Sequence, residues 1–316
     1  MLPVTRKFIL ENMKFTSNGK LLLAGEYLVL RGAKAFAVPV NFGQSMLVGK
    51  DDEEGILWES YTNGDLWFGA WIKSGTLQII ETTDMVVAKQ LIKILGAADE
   101  LSGGFLRKQN GIKVVNNTDF DLNWGLGSSS TLISNIAYWA DVDPFDLHFA
   151  VSGGSGYDIA CARSEGPLFY YLDNKNPKSE KVDFNPDYAE NIGFVWLGNK
   201  KNSADEVSSF GMIKKRLHYE INEISQLSDN IAYAPTLEDF EYYLKEHELI
   251  ISTILKKKPV KEEFFHDYFG EIKSLGAWGG DFIMVTSDRP FSNVKNYFGN
   301  KGLGTVIPFK DMVKVW

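Results

Sequence analysis

The sequence Gly125-Leu-Gly-Ser-Ser-Ser130 is followed by residues 131–140, whose composition predicts a helix. Glycine allows the backbone to turn sharply and to approach a ligand closely. A helix that begins near Ser129 directs unpaired N–H groups and the positive end of its dipole at this loop. The loop is therefore a candidate phosphate site, although a glycine–serine turn that caps a helix explains the same residues equally well.

Three further glycine-containing segments carry polar residues. We name them the amino-terminal segment (residues 17–27), the aspartate segment (residues 153–158) and the carboxy-terminal segment (residues 276–281), beside the phosphate loop (residues 125–130). Asp158 can accept a proton from an attacking hydroxyl, and Lys20 can neutralise charge on a transferring phosphate. Taken alone, Asp158 is better explained as an aspartate that caps a helix. Lys20 alone is better explained as a lysine at the end of a strand that reaches solvent.

Common nucleotide-binding motifs do not account for these segments. Gly19-Lys20 is followed by Leu21, and Lys14 stands where a Walker A motif needs its first glycine. A dinucleotide fingerprint in the phosphate loop would need glycine at Ser130. The His-Arg-Asp and Asp-Phe-Gly motifs of protein kinases are also missing from the sequence.

Together and in this order, the four segments resemble the GHMP kinases, the family of galactokinase, homoserine kinase, mevalonate kinase and phosphomevalonate kinase. The resemblance is carried by Lys20-Leu-Leu-Leu-Ala-Gly-Glu-Tyr, Asn123-Trp-Gly-Leu-Gly-Ser-Ser-Ser, Gly154-Ser-Gly-Tyr-Asp-Ile-Ala and Gly276-Ala-Trp-Gly-Gly-Asp. Within the family the sequence is most similar to phosphomevalonate kinase, because Gly25-Glu26-Tyr27 stands where mevalonate kinases usually have Gly-Glu-His.

The resemblance implies an α+β protein with the two-lobe GHMP kinase fold. Residues 1–180 are expected to form an N-terminal lobe like ribosomal protein S5 domain 2, which contains the phosphate loop for ATP. Residues 181–316 are expected to form a ferredoxin-like C-terminal lobe. The polar stretch of residues 175–186, which carries two prolines, favours a boundary there.

The resemblance also implies an ATP- and Mg²⁺-dependent small-molecule kinase, with phosphomevalonate or mevalonate as acceptor in isoprenoid precursor synthesis. Two alternatives remain: a GHMP kinase for homoserine or a sugar, and a catalytically silent protein of this fold that binds a metabolite. Retention of Lys20, Ser129 and Asp158 together argues against the silent alternative.

The resemblance assigns roles to individual residues. Asp158 is expected to be the catalytic base or hydroxyl orienter, and Lys20 its electrostatic partner. Binding of the nucleotide and its phosphates is assigned to Gly125, Leu126, Gly127, Ser128, Ser129 and Ser130, with Ser129 also a Mg²⁺ ligand. Acceptor binding is assigned to Glu26, Tyr27, Ser155, Gly156, Lys200, Lys201, Gly276, Gly279 and Gly280.

Two positions depart from the family pattern. Mevalonate kinases carry a magnesium-binding glutamate eleven residues before the catalytic aspartate, and here that position is Leu147. Trp278 stands where the third motif usually has glycine, so either the loop geometry differs or the indole packs on something.

Composition limits the partners and the location. The formal net charge of −8 argues against a nucleic-acid-binding protein, and a small acidic metabolite then needs local cations such as Lys200-Lys201. The single cysteine, Cys161, excludes an internal disulfide, and no apolar stretch is long enough to cross a membrane. We expect a cytoplasmic protein, a monomer or a homodimer, that does not bind membranes.

Overall fold

The computed structural model describes residues 13–198, 210–211, 217–276, 278 and 281–316. Of the predicted site residues, four lie outside this part of the chain: Lys200, Lys201, Gly279 and Gly280. Their roles stay predictions.

The described part of the chain contains both strands and helices. The strands are β1 (Met13–Ala24), β2 (Ala35–Lys50), β3 (Ile56–Thr62), β4 (Asp65–Lys73), β5 (Gln78–Thr82), β6 (Ile112–Thr118), β7 (Leu168–Asp173), β8 (Asn176–Lys181), β9 (Ile192–Trp196), β10 (Ile272–Ser274), β11 (Phe282–Thr286) and β12 (Val306–Pro308). The helices are α1 (Met85–Leu101), α2 (Ser128–Ala140), α3 (Pro144–Val151), α4 (Tyr157–Arg163), α5 (His218–Ala232), α6 (Leu237–Leu255), α7 (Val260–Phe264), α8 (Phe291–Asn300) and α9 (Phe309–Met312).

The fold divides into two compact units that interleave along the sequence. In the described part of the chain, the first comprises residues 13–17, 43–122 and 128–152, and the second comprises residues 18–42, 123–127 and those from 153 onward. None of these limits falls between residues 180 and 181, and the predicted lobe boundary stays a prediction.

The first unit contains a sheet in the order β5-β4-β3-β6-β2. β3 and β6 are parallel, and α1 lies between them in sequence, whereas β4 and β2 pair antiparallel with β3 and β6. The apolar faces of the strands are buried through Trp58 and Val114, and α1 buries Leu91 and Leu95.

Apolar residues at helical spacing predict a helix over residues 84–95 that ends at Gly96, and α1 begins there but ends later. Asp84 caps it, because its Oδ1 accepts hydrogen bonds from the N–H groups of Val86 and Val87. The predicted end at Gly96 is wrong: the helix continues to Leu101, and Leu95 and Ala98 are fully buried on either side of the glycine. Burial of that face outweighs the roughly 1 kcal/mol that glycine costs inside a helix.

The second unit contains two groups of strands. The beginning of β2 pairs with β7, which forms a hairpin with β8, and β9 to β12 form an antiparallel sheet in the order β10-β11-β9-β12. The inner sheet strand β11 is fully buried, and α5 packs against α6. In the described residues no helix has the length and apolar character needed to span a membrane.

The strand that contains the start of the amino-terminal segment ends earlier than its sequence indicates. The run of apolar residues from Lys20 to Leu30 indicates one strand, but β1 ends at Ala24. Gly25 has φ +93°, and a Cβ at this position would lie 2.6 Å from the Ala35 Cα, so the chain turns where only glycine fits. A short 3₁₀ helix, Leu28–Arg31, follows.

Candidate active site

Lys20 lies in the buried half of β1 and holds the phosphate loop at two points. Its backbone N–H donates to the Leu126 carbonyl oxygen (2.9 Å), and its Nζ donates to the Gly125 carbonyl oxygen (2.7 Å). Its Nζ also lies 5.8 Å from the centre of the Tyr157 ring. An ammonium group has three donors, so the bond to Gly125 leaves two for an anionic ligand.

Gly125 of the phosphate loop lies directly against Asp281 of the carboxy-terminal segment. Its φ is +69°, and a Cβ there would lie 2.1 Å from Asp281 Oδ2. Both the backbone conformation and the space therefore require glycine. The Asp281 side chain is buried beside the loop, although the sequence analysis gave it no role.

The amino-terminal end of α2 has the properties of an anion site. Gly127 has φ +92°, α2 begins at Ser128, Ser129 is exposed and Ser130 is buried. The first N–H groups of a helix have no partner within it and lie at the positive end of its dipole. Of the three serines, Ser129 is the most exposed residue.

Asp158 lies in the first turn of α4, which begins after Gly156 in a left-handed conformation (φ +90°). Its Oδ1 accepts a hydrogen bond from the Ile159 N–H (3.1 Å), and its side chain is half-buried. Within the described part of the chain, no group donates a hydrogen bond to its Oδ2. A carboxylate oxygen without a donor is suited to accept a proton or a hydroxyl hydrogen bond.

The charges of Asp158 and Lys20 act on one buried thiol. Burial raises the pKa of Cys161, Asp158 raises it further, and Lys20 lowers it. Burial also raises the pKa of Tyr157, with Asp158, Glu26 and Asp281 adding to the effect. The two predicted catalytic residues are thus brought into one electrostatic environment, and Cys161 stays a neutral thiol within it.

The remaining residues of the aspartate segment support its backbone. Ser155 is buried, and its carbonyl oxygen accepts a hydrogen bond from the Tyr170 hydroxyl (2.5 Å). Burial, with the nearby charge of Asp158, raises the pKa of Tyr170, so it stays a donor. The predicted acceptor contacts of Ser155 and Gly156 stay predictions.

Glu26 of the amino-terminal segment lies in a buried cluster that the sequence analysis did not predict. We call Glu26, His247, Glu248 and Lys273 the charged cluster; each is at most 3% exposed. Lys273 Nζ donates to Glu26 Oε1 (2.6 Å) and lies 3.7 Å from Glu248 Oε1. Burial raises the pKa of Glu26, and Lys273 opposes that shift. The predicted contact of Glu26 with an acceptor stays a prediction.

His247 joins the charged cluster to the backbone of the amino-terminal segment. Its Nε2 accepts a hydrogen bond from the Gly25 N–H (3.0 Å) and lies 3.2 Å from Glu26 Oε2. Burial, followed by the charge of Lys273, lowers the pKa of His247 well below its usual value. The imidazole is therefore neutral at pH 7, with its proton on Nδ1.

Glu248 accepts hydrogen bonds on both oxygens. Trp278 Nε1 donates to its Oε1 (3.2 Å), and Ser274 Oγ donates to its Oε2 (3.0 Å). Burial raises the pKa of Glu248 to about 7; Lys273 opposes that shift, and Glu26 adds to it. This carboxyl group therefore changes charge near neutral pH.

Trp278, at the position where the third motif usually has glycine, packs its indole inside the protein. The indole is buried in a hydrophobic cluster that includes Tyr27 and Ile251. The Trp278 backbone N–H donates to the Tyr27 hydroxyl (3.1 Å), and Tyr27 itself has an unusual positive φ of 63°. Gly276, at the start of the same segment, has φ +61°. The indole thus packs against the amino-terminal segment, and the contacts of Tyr27 and Gly276 with an acceptor stay predictions.

The residues present fit a phosphate better than they fit a free metal ion. Gly125 and Gly127 have left-handed backbones, and Ser129 lies exposed in the first turn of α2, where backbone N–H groups can bind phosphate oxygens. Among the described residues, no group of three or more His, Cys, Asp or Glu side chains is placed to hold a metal. Leu147 is fully buried, so it offers no ligand. Mg²⁺ commonly binds through one or two protein groups together with substrate phosphates, and the Ser129 hydroxyl fits that mode.

Sequence reasoning missed Lys273, His247 and Glu248, and it included Asp281 in the carboxy-terminal segment without giving it a role. A signal existed for His247 and Glu248. The buried face of α6 carries Phe240, Leu244, His247, Glu248 and Ile251, which follows helical spacing and places the His-Glu pair on the core side.

Comparisons with known proteins identify structures with a similar fold. No protein-family model and no curated protein matches the sequence. Among solved structures, mevalonate kinase from Methanococcus jannaschii has 14% identity and a TM-score of 0.69, covering 97% of this chain and 99% of that one. Phosphomevalonate kinase from Streptococcus pneumoniae, in complex with phosphomevalonate and AMPPNP, has 17% identity and a TM-score of 0.66, covering 94% and 99%.

A third similar structure holds a different class of molecule, a sugar. Galactokinase from Lactococcus lactis, complexed with galactose, has 12% identity and a TM-score of 0.62, covering 96% of this chain and 94% of that one. The predicted fold is confirmed: the chain has the α+β fold of the GHMP kinases. At these identities the likeness concerns the fold, and the acceptor has to be argued from the site.

Proposed function

We propose that the chain is an ATP-dependent small-molecule kinase that phosphorylates phosphomevalonate or mevalonate. One observation carries the proposal. Lys20 Nζ bonds the Gly125 carbonyl oxygen of the phosphate loop, and Lys20 and Asp158 act on the same buried Cys161 thiol. A cation, a carboxylate and a phosphate cradle are the groups that phosphoryl transfer needs for positioning and charge stabilisation.

The phosphate loop binds the nucleotide in this mechanism. When bound, the nucleotide with its Mg²⁺ supplies the transferable phosphoryl group. The N–H groups of Ser128, Ser129 and Ser130 at the start of α2 hold phosphate oxygens, and the Ser129 hydroxyl adds a donor or a metal ligand. Asp281 fixes the loop by occupying the space beside Gly125.

Asp158 and Lys20 act on the acceptor. With a hydroxyl acceptor, the Asp158 carboxylate accepts the hydroxyl proton or orients it for attack, and Lys20 stabilises the negative charge on the attacking oxygen. With a phosphate acceptor, the attacking oxygen is largely ionised near pH 7, because a phosphate monoester has its second pKa near 6. Asp158 then orients the acceptor, and Lys20 carries more of the catalytic effect.

The choice of acceptor rests on the amino-terminal segment. Gly25-Glu26-Tyr27 resembles phosphomevalonate kinases, and a similar solved structure holds phosphomevalonate with AMPPNP. Galactokinase has the same fold, so a sugar is the alternative that the comparison itself raises.

An ADP-release assay tests the function. Purified protein with ATP and Mg²⁺ is given phosphomevalonate, mevalonate, homoserine or galactose, each over a range of concentrations. We expect saturable ADP release with phosphomevalonate or mevalonate and background release with the other two. Saturable release with galactose or homoserine alone overturns the acceptor and keeps the kinase. No release with any acceptor, together with a thermal shift on metabolite binding, favours the silent alternative.

Asp158→Asn tests the mechanism in the same assay. The amide keeps the size of the side chain and removes the proton acceptor and the charge. We expect turnover with a hydroxyl acceptor to fall at least about 100-fold, while the ATP-induced thermal shift stays close to that of the unchanged protein. Near-normal turnover with a hydroxyl acceptor shows that Asp158 has no catalytic role.

A further inference from the structure

Two side chains of β1 hold the two ends of α4, the helix that carries Asp158. Asn18 and Lys20 lie on the same face of β1, because alternate residues of a strand share a face. Lys20 Nζ lies 5.8 Å from the ring centre of Tyr157, the first residue of α4. Asn18 Nδ2 donates a hydrogen bond to the carbonyl oxygen of Ser164, the residue directly after the helix (2.7 Å).

Ser164 transmits the bond from Asn18 to the helix itself. The Ser164 N–H donates to the carbonyl oxygens of Ala160 (3.1 Å) and Cys161 (3.2 Å) in the last turn of α4. The seven residues of α4 span about 10 Å. Contacts at both ends therefore fix the direction of the helix axis relative to β1, whereas the contact at Tyr157 alone would let the far end of the helix move.

Lys314 holds the Asn18 amide in the orientation that this bond requires. Its Nζ donates to Asn18 Oδ1 (3.4 Å) and forms an ion pair with Glu165 Oε2 (2.7 Å). An ammonium group only donates and a peptide carbonyl only accepts, so Oδ1 faces Lys314 and Nδ2 faces Ser164. The backbone of Lys314 is held in turn, because its N–H donates to the Pro39 carbonyl oxygen of β2 (3.0 Å).

We propose that Asn18 is a positioning residue for catalysis: by holding the end of α4 to β1, it sets the placement of the Asp158 carboxylate relative to the Lys20 ammonium, and so sets kcat. The proposal rests on the proposed kinase function, in which these two groups act on the acceptor. A displacement of about 1 Å at a reacting group can lower turnover about 100-fold. Within the described residues, the Asn18 side chain bonds no residue of the phosphate loop, so the ATP KM should respond less than kcat.

The first test compares two asparagines in the ADP-release assay. Asn18→Ala removes the bond to Ser164. Asn191→Ala is the matched control, since Asn191 is another half-buried amide of the second unit whose Nδ2 donates to a distant carbonyl oxygen, that of Ser287 (2.6 Å). We expect Asn18→Ala to lower kcat about tenfold and to leave the ATP KM within about twofold. Asn191→Ala should leave both within about twofold. An unchanged kcat in Asn18→Ala, or an equal fall in both variants, overturns the proposal.

Asn18→Asp separates the bond to the helix from the stability of the fold. The carboxylate keeps the size of the side chain and an acceptor for Lys314, but it has no N–H to donate to the Ser164 carbonyl oxygen. We expect kcat to fall about as far as in Asn18→Ala, while the melting temperature stays closer to that of the unchanged protein. A near-normal kcat in Asn18→Asp contradicts the proposal, because the donor is then dispensable.

A double-mutant cycle tests whether Asn18 acts through Asp158. The cycle uses the acceptor with which Asp158→Asn loses turnover. In that background Asn18→Ala should lower the remaining kcat by less than about twofold, because the carboxylate that Asn18 positions is already absent. A further tenfold fall would show that the two residues act independently, and the proposal would then be wrong.

Hydrogen exchange provides a measurement without turnover. Exchange in the peptide that spans α4 should be faster in Asn18→Ala than in Asn191→Ala and the unchanged protein, because the end of the helix is no longer held. If the unchanged protein phosphorylates no acceptor but exchange responds in this way, the proposed function fails and the holding of α4 by Asn18 stands. If turnover is found but neither exchange nor kcat responds, the positioning fails and the function stands.

Discussion

Each unit of the molecule contains a buried polar cluster, and the two differ in charge. The charged cluster of the second unit consists of Glu26, His247, Glu248 and Lys273. The neutral cluster of the first unit consists of Ser17, Gln44, Thr131 and Asn135, all of them buried. The charged cluster links the amino-terminal and carboxy-terminal segments. The neutral cluster holds α2, the helix that begins at the phosphate loop.

The neutral cluster is built from hydroxyl and amide groups alone. Ser17 Oγ donates to Asn135 Oδ1 (2.7 Å), Asn135 Nδ2 donates to the Gln44 carbonyl oxygen (3.2 Å), and Thr131 Oγ1 donates to Gln44 Oε1 (2.7 Å). Such bonds contribute about 1 kcal/mol each and do not respond to pH. Burial of the charged cluster costs more free energy, and the cluster is stable only while each charge keeps its partner. The comparison teaches that the bonds of the neutral cluster to α2 involve no group that titrates near pH 7, whereas the charged cluster contains one, Glu248.

Removal of Lys273 should produce the largest difference in stability between the two clusters. Lys273→Met leaves the Glu26 carboxylate buried without its cation, so we expect the free energy of unfolding to fall by about 3–5 kcal/mol. The loss should be greater at pH 8 than at pH 6, because the two glutamates escape part of the cost by protonation at low pH. Urea unfolding at both pH values measures it.

Lys113→Met is the matched control for this substitution. It removes the partner of Glu59 (2.8 Å) in the first unit, where both side chains keep some exposure. There we expect a loss of about 1 kcal/mol or less. Equal losses in the two variants would show that the charged cluster is no more dependent on its cation than a half-buried surface pair.

The pH dependence of stability is the next largest effect, and it isolates Glu248. Burial raises its pKa from 4.5 to about 7 in the folded protein. A raised carboxyl pKa favours folding at low pH, and that contribution is lost as the pH rises through about 7. Glu248→Gln should therefore gain stability relative to the unchanged protein between about pH 5 and pH 8, by at most about 3 kcal/mol.

Thermal unfolding of Glu248→Gln, Glu59→Gln and the unchanged protein across this pH range checks the prediction. A constant difference in melting temperature between Glu248→Gln and the unchanged protein would contradict the raised pKa. The ionisation that strengthens the bond from the Trp278 indole is thus the one that lowers the stability of the fold.

The sequence predicted the fold, and it marked the turns of the candidate site, for a physical reason. Gly125, Gly127 and Gly156 mark left-handed turns, and such turns leave a strong local signal in sequence. The contact of Lys20 with the Gly125 carbonyl oxygen was not predicted, because the two residues are 105 positions apart. Local patterns were enough for the turns alone, since backbone geometry is set by residues close together in the chain.

The charged cluster left a signal on α6 alone, where helical spacing places His247 and Glu248 on the core side. Lys273 and Glu26 are 247 positions apart, and no spacing rule connects them. A lysine in a short strand is typical of exposed surface. The strand predicted to continue to Leu30 failed for a similar reason: the apolar run continues, but the close approach of Ala35 to Gly25 ends the strand. Tertiary contacts decided both cases.

The smallest expected effect concerns the neutral cluster and sharpens the comparison from its other side. Thr131→Val keeps the shape of the side chain and removes the hydroxyl that donates to Gln44 Oε1, so a buried acceptor loses its donor. We expect the free energy of unfolding to fall by about 1–2 kcal/mol, equally at pH 6 and pH 8, because none of the four residues ionises in that range. Thr253→Val is the control, since its hydroxyl bonds the Leu249 carbonyl oxygen on an exposed face of α6, and it should change stability by less than about 0.5 kcal/mol. Urea unfolding of both variants at the two pH values is sufficient. A loss for Thr131→Val that varies with pH would mean that α2 is coupled to a titrating group, and the contrast between the two clusters would then be one of degree.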